Sequence, residues 1–281
     1  MIKLNGFEFK TLLPKRACDS HKGTFGTAAI VAGSLCYQGA AALATRAALL
    51  SGAGIVCAFI PDCIYDAFAA KTFGAVIQPL DSKNGIICDN SLTQKILSRR
   101  VNAVLCGSGI GIGAGAKNAV EQVSKLDLPV VFDADALLVI AEDKTLLNRN
   151  FPTILTPHLG EFSKLINETV DNIKRDRYNL ALNFSKKYNC TLVLKDYETV
   201  IATPDESYSL CNPTSALSKG GSGDVLAGII CSLVAQGMTA KNASVCAVTI
   251  HNRCGHLAAQ IYGERAVLAE DIAEQLRKPV F

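Results

Sequence analysis

Charge is scarce in this chain. Of its 281 residues only 19% are Asp, Glu, Lys or Arg, the formal net charge is +3, and no run of Lys and Arg exceeds a pair such as Arg99-Arg100. A nucleic-acid surface needs a basic stripe, and none is present. The N-terminal "MIKLNGFEFK" lacks the continuous apolar region of a secretory signal. The greasiest stretch, residues 39–60, carries Arg46 and several glycines and divides into a helix and a strand, which excludes a membrane span. "HNRCGH" at 251–256 holds His and Cys at no zinc-ligand spacing, and no GK[ST] of a Walker-type phosphate loop occurs. No Pro/Ser-rich linker or internal repeat divides the sequence. These absences predict a soluble cytoplasmic protein with one domain over 1–281, no nucleic-acid or membrane partner and no protein-built metal site.

Apolar residues, by contrast, make up 49% of the chain, enough for a sizeable core and too many for disorder. Eleven cysteines are present, odd in number and mostly in apolar company, as at Cys57, Cys106, Cys231 and Cys246. That usage fits small buried thiols in a reducing compartment better than a disulfide framework.

Short apolar runs alternate with helical patterns. Residues 28–32, 55–60, 101–106, 130–132 and 192–194 read as strands rich in Val, Ile, Leu and Ala. They do not alternate with polar residues, as strands of a parallel sheet covered on both faces need not. Helical periods fall at 40–51, 91–100, 116–126, 160–166 and 173–188, and a hairpin is expected from 199–202 and 208–211. The β-α-β-α order predicts an α/β fold, doubly wound, with a mostly parallel sheet and helices on both faces. Ligands of such folds bind beyond the carboxyl ends of the strands.

Several junctions there carry candidate chemistry. In "SKGGSGDVLAGII", Gly220-Gly221-Ser222-Gly223-Asp224 precede Val225, Leu226, Ile229, Ile230, Leu233 and Val234, the apolar pairs of a helix with one buried face. Glycines at a helix mouth let free amides curl around an anion. A carboxylate there repels phosphate unless it takes a proton from an attacking hydroxyl; its bland alternative is an N-cap. "CGSGIGIGAG" at 106–115 satisfies G-x-G-x-x-A through Gly109, Gly111 and Ala114, formally a dinucleotide fingerprint, or else a close-approach loop. In "ILTPHLGEF", His158 stands at a helix start either as a ligand contact or as a cap, with Glu161 three residues on. Asp133 and Asp135 of "VVFDADAL" either hold Mg²⁺ through water or cap a helix. Gly39-Ala40-Ala41 open a helix of small residues that permits close approach to a flat ligand, and Lys195 ends the strand "LVLK" at the same rim, where a lysine suits phosphate.

Taken together, "HKGTFG", "VAGS", "GAAALATRAALLSGAG", "DADAL", "LTPHLGEF", "VLKDYETVIATPD" and "NPTSALSKGGSGDVLAGI" resemble, in order and spacing, the ADP/ATP-dependent NAD(P)H-hydrate dehydratases. The resemblance runs from about Leu13 to Leu276 and implies a ribokinase-like fold. It implies phosphorylation of the ring hydroxyl of S-NADHX or S-NADPHX, followed by loss of phosphate, with ADP expected over ATP and Mg²⁺ as cofactor. Asp224 would be the general base and Gly221, Ser222 and Gly223 the anion hole. Ala40, Gly109 and His158 would contact the hydrate, and Lys195, Asp196, Tyr197, Glu198 and Thr199 with Gly223 the nucleotide. Similar proteins form homotetramers, and no epimerase domain precedes the fold in this sequence, so a separate epimerase would supply the S form. Leu159, Asp196, Ser108 and Ser215 depart from the family pattern. A ribokinase-superfamily kinase of a sugar, hydroxyethylthiazole or hydroxymethylpyrimidine shares the glycine-aspartate mouth, but leaves "TPHLGE" and "HKG" unexplained.

Overall fold

The computed structural model describes residues 1–4 and 9–278. The chain builds β1 (Ile2–Lys3), β2 (Thr27–Val31), α1 (Gln38–Leu50), β3 (Ile55–Pro61), α2 (Tyr65–Ala69), β4 (Val76–Leu80) and a small ribbon of β5 (Ser82–Lys83) and β6 (Ile86–Ile87). Then follow α3 (Leu92–Ser98), β7 (Ala103–Cys106), α4 (Ala114–Ser124), β8 (Val130–Phe132), α5 (Asp135–Glu142), β9 (Thr153–Leu155), α6 (Leu159–Ile166), α7 (Val170–Tyr188) and β10 (Thr191–Leu194). The hairpin β11 (Thr199–Ala202) and β12 (Ser207–Leu210) leads into α8 (Ser222–Ala235), α9 (Ala240–Tyr262) and α10 (Ala269–Glu274).

Ten strands form one sheet in the order β1-β12-β11-β10-β9-β8-β7-β2-β3-β4. Among its described strands β11 alone runs against the rest. The chain moves outward from β2 to β4, then restarts beside β2 at β7 and moves the other way. That reversal opens a crevice beyond the ends of β2 and β7, where this topology places ligands.

Both sheet faces are covered, which is why the strands read as continuous apolar runs. On β2, Ala28 and Ile30 enter a core shared with α1, α8 and α9, while Ala29 and Val31 enter a second core under α3 to α7. The α1–α8 contact depends on small residues: a Cβ on Gly228 would lie 2.3 Å from Ala44 O, so glycine there allows the two backbones to meet. The face of α1 carrying Ala41, Ala44, Ala47 and Ala48 is thus spent on packing and fully buried, while Gly39 and Ala40 at the helix start stay accessible. Residues 225–235 of α8 are all buried, because the helix lies between the sheet and α1 and α9; the expected single buried face is therefore an underestimate.

Other elements follow local chemistry. Thr239 caps α9 by accepting from Asn242 N at 3.2 Å, and Asn189 ends α7 in the left-handed conformation at φ 47°. Helix α7 is kinked at Asp176, whose φ of −133° and ψ of 36° break the helical run inside the stretch read as continuous. No disulfide joins any of the eleven cysteines, and no helix among the described residues is long and apolar enough to cross a membrane.

Candidate active site

The ends of β8, β9 and β10, the hairpin region and the first turn of α8 enclose a cavity of about 810 Å³. It is lined by Asp133, Ala134, His158, Glu161, Lys195, Asp196, Tyr197 and Thr199 on one side. Asn212, Thr214, Ser215, Gly221, Ser222, Gly223, Asp224 and His251 line it on the other.

Helix α8 presents its N-terminus to this space. Its N-cap is Gly221, held left-handed at φ 93° and ψ −17°, and a Cβ there would lie 2.5 Å from Leu43 Cδ1. Asp224 is the third helical residue and makes no capping hydrogen bond, which removes the bland alternative. Ser222 N–H donates to Lys219 O at 3.2 Å and Val225 N–H to Gly221 O at 3.2 Å. The amides of Gly223 and Asp224 between them have no carbonyl of their own helix to bond, and the helix dipole adds positive potential there.

The side chains around that turn form a charge-balanced cluster. Lys195 Nζ lies 3.1 Å from Asp133 Oδ1, which also accepts from Thr156 Oγ1 at 2.6 Å. A Cβ on Gly223 would come 3.2 Å from Lys195 Nζ, so the ammonium abuts the helix mouth. Burial alone would lower the Lys195 pKa, but Asp133 together with Glu161 and Asp224 raises it, keeping the amine charged. Asp224 is pushed up to about 7, first by burial and then by the negative charge of Asp133, with Asp135 adding to both. A hydrogen bond from Ser108 and the charge of Lys195 oppose that rise. Buried Ser108 sits between the two carboxylates, its Oγ 3.4 Å from Asp133 Oδ2. Asp135 turns away: its Oδ2 accepts from Gly111 N at 2.8 Å, and its own pKa is raised by burial. Between the two aspartates Ala134 is held at φ 49° and ψ −119°, a strained conformation costing about 1–3 kcal/mol.

His158 is the N-cap of α6. Its Nδ1 accepts from Gly160 N at 3.0 Å and Glu161 N at 3.2 Å, and the His158 main-chain N–H donates to Glu161 Oε2 at 2.8 Å. The capping alternative is therefore present, and the exposed ring also lines the cavity, with Nε2 3.5 Å from Glu161 Oε1. Lys195 N–H donates to Pro157 O at 2.8 Å, which ties the β9 and β10 ends together.

The remaining candidates divide. Ala40 and Gly109 meet each other, since a Cβ on Gly109 (φ 66°) would fall 2.9 Å from Ala40 Cβ; they stand at the crevice between β2 and β7 and do not line the large cavity. Asp224 and Ser108 join the two areas. Asp196, Tyr197 and Thr199 line the cavity, whereas the Glu198 side chain turns back to accept from Tyr178 OH of α7. The carboxylate of Asp196 is countered by buried Arg177, whose Nη1 lies 3.1 Å away but off the line of a hydrogen bond, an ion pair that answers the extra charge at that position. The same guanidinium lies 4.9 Å from the centre of the Tyr197 ring. Sequence reading missed Arg177 and weighed His251 only within "HNRCGH", as a zinc ligand without the spacing for one. His251 Nε2 lies 3.1 Å from Ser222 Oγ across 29 residues of sequence, a pairing with no local cue.

Among the described residues no group of three or more His, Cys, Asp or Glu is arranged to hold a metal ion.

A family model described as NAD(P)H-hydrate dehydratase matches residues 28–278. An ADP-dependent (S)-NAD(P)H-hydrate dehydratase from Neisseria meningitidis is 35% identical over 279 residues, covering 96% of this chain and 90% of that one. The chain spans about half the length, 51% and 52%, of the bifunctional NAD(P)H-hydrate repair enzymes of Moorella thermoacetica and Coxiella burnetii, to which it is 33% and 35% identical. A crystal structure of the Bacillus subtilis ADP/ATP-dependent NAD(P)H-hydrate dehydratase, co-crystallized with ATP and Mg²⁺, superposes with a TM-score of 0.84 at 28% identity, covering 98% of this chain and 96% of that one. A ribokinase-like superfamily protein from Enterococcus faecalis shares the fold, with a TM-score of 0.84 at 22% identity and coverage of 100% and 95%.

Proposed function

The chain belongs to the NAD(P)H-hydrate dehydratase family, and from that premise we propose that it returns the S epimers of hydrated NADH and NADPH to the reduced cofactors, with ADP, or ATP in its place, as phosphoryl donor. Asp224 removes the proton of the ring hydroxyl. The freed oxygen attacks the terminal phosphorus of the nucleotide, and the bond to the nucleotide's bridging oxygen breaks. The ring then expels inorganic phosphate, and loss of a proton from the neighbouring ring carbon restores the double bond. Catalysis of this kind is positioning plus electrostatics.

The observation that carries this reading is a carboxylate with a pKa near 7 beside an unsatisfied helix N-terminus. A general base works best when its pKa lies close to the working pH, and burial against Asp133 gives Asp224 that value. The amides at Gly223 and Asp224 and the ammonium of Lys195 offer positive potential to the phosphoryl group in transit. Tyr197, backed by Arg177, and Thr199 provide the wall against which the nucleoside rests. Ala40 and Gly109 form the floor for the nicotinamide ring.

Mg²⁺ would be held chiefly by the nucleotide phosphates, with Asp224 the hard oxygen donor that lines the cavity, since Asp135 is bonded to Gly111 N and turned away from it. When bound it neutralises phosphate charge. Asp133 is already engaged by Lys195 and Thr156.

The test is incubation of purified protein with S-NADHX, Mg²⁺ and either ADP or ATP, following the reduced-nicotinamide absorbance band. Recovery of that band together with AMP and phosphate from ADP is expected, and with mixed epimers the R form should remain. Accumulation of a stable phosphorylated alcohol would instead mark a small-molecule kinase.

A further inference from the structure

Ser222 and His251 form a buried pair that the reaction above leaves unused. Ser222 is the first residue of α8 and 5% exposed; His251 comes from the middle of α9 and is 8% exposed. The Nε2–Oγ separation is 3.1 Å, and both residues line the cavity. Burial, with the nearby Lys195 charge, holds the imidazole at about 4, so the ring is neutral near pH 7 and carries one N–H. Which way the Nε2–Oγ bond runs depends on the tautomer of the ring, whose single N–H can sit on Nε2.

The direction of the side-chain bond decides what the serine can do. If Nε2 accepted, the hydroxyl proton would be spent on the ring. With Nε2–H donating, the Ser222 proton is left for the cavity, next to the amides of Gly223 and Asp224. The geometry points to His251 as a positioning residue: it donates to Ser222 Oγ and thereby turns the serine hydroxyl proton toward the phosphoryl group held at the mouth of α8. This rests on the phosphoryl-transfer reading of the cavity. Histidine suits the place because, neutral when buried, it supplies a fixed donor without adding a charge beside Lys195.

The test compares the full-length protein with His251→Phe, His251→Gln, Ser222→Ala and the double variant His251→Phe/Ser222→Ala. Each is saturated with AMP and titrated with orthophosphate by calorimetry, and turnover of the S hydrate is followed in parallel. His251→Phe and Ser222→Ala should each weaken phosphate about tenfold, the scale of one hydrogen bond to a charged acceptor. The double variant should lose no more than either single change, because both interrupt one chain of donors. His251→Gln, whose amide N–H reaches the same oxygen, should bind phosphate close to wild type, and AMP affinity should hold throughout. Additive losses, no rescue by Gln, unchanged affinity in Ser222→Ala, or wild-type protein that binds no phosphate would overturn the assignment. If His251→Phe does not fold, Ser222→Ala and His251→Gln decide. Phosphate binding in the expected pattern with no hydrate consumed would sink the dehydratase reading and leave the donor chain standing; hydrate turnover without the pattern would do the reverse.

Discussion

Two glycine-rich approaches to helices, one before α4 and one before α8, look alike in sequence and differ in what surrounds them. In the first, Gly107 (φ 131°) would place a Cβ 1.9 Å from Asp133 O, and Gly109 would place one 2.7 Å from Tyr37 Cβ. These glycines are demanded by protein atoms already there. In the second, a Cβ on Gly220 meets nothing within 4 Å, and one on Gly223 meets only the tip of Lys195, at 3.2 Å. Those two glycines border open space, although Gly221 between them would place a Cβ 2.5 Å from Leu43 Cδ1, and Gly113 in the first loop meets nothing within 4 Å. A dense cluster of glycines therefore has two physical causes, backbone packed against its neighbours and room kept for a guest, and the two loops mix them in different proportions.

That contrast can be broken most severely at its acidic residue. Asp224→Asn keeps the volume and removes the base, so turnover should fall by about 10²–10⁴-fold while ADP binding persists. Gly107→Ala comes next and should act on folding: strain at positive φ plus overlap with Asp133 is expected to cost on the order of 3 kcal/mol, read by denaturant titration. A Gly107→Ala protein as stable as wild type would erase the distinction between the two loops.

The third effect is pH dependence. Because Asp224 must be ionised to act, kcat/KM should fall about tenfold per pH unit below its pKa near 7 and level off above it. The stability sign is opposite. The folded state holds this proton up to about pH 7, whereas an unfolded aspartate releases it near its ordinary value, about 4. The stabilisation is complete below pH 4 and lost as pH rises through 7, so Asp224→Asn should raise Tm most above pH 7. Since Ser108 donates to Asp224 and lowers its pKa, Ser108→Ala should shift the activity midpoint to higher pH. Smallest of all, Gly220→Ala should change stability by less than about 0.5 kcal/mol.

Much of this arrangement was legible in the residues. The buried runs that became β2, β3, β7, β8 and β10 announced a parallel sheet because both faces needed apolar cover. Edge strand β4 did not stand out: it is largely half-exposed and carries Pro79, so neither burial nor propensity distinguished it from a loop. The kink at Asp176 leaves the apolar period of α7 intact and was invisible. At the site, Asp224 and its glycines were legible because they are consecutive. Asp133 and Lys195 are 62 residues apart, and Ser222 and His251 are 29 apart, so the ion pair and the donor chain exist only once the sheet and α9 have folded. The Glu198 side chain, aimed at the nucleotide by its sequence position, is drawn off by Tyr178, a contact no local pattern encodes.

The most direct test of the central claim is a single-turnover measurement with S-NADHX and ADP, comparing wild type and Asp224→Asn at pH 8 with nucleotide binding measured on the same samples. Rapid return of NADH by the wild type, and essentially none by an Asp224→Asn protein that still binds ADP, is the outcome expected. Equal rates from the two proteins would show that the carboxylate at the mouth of α8 is not the base.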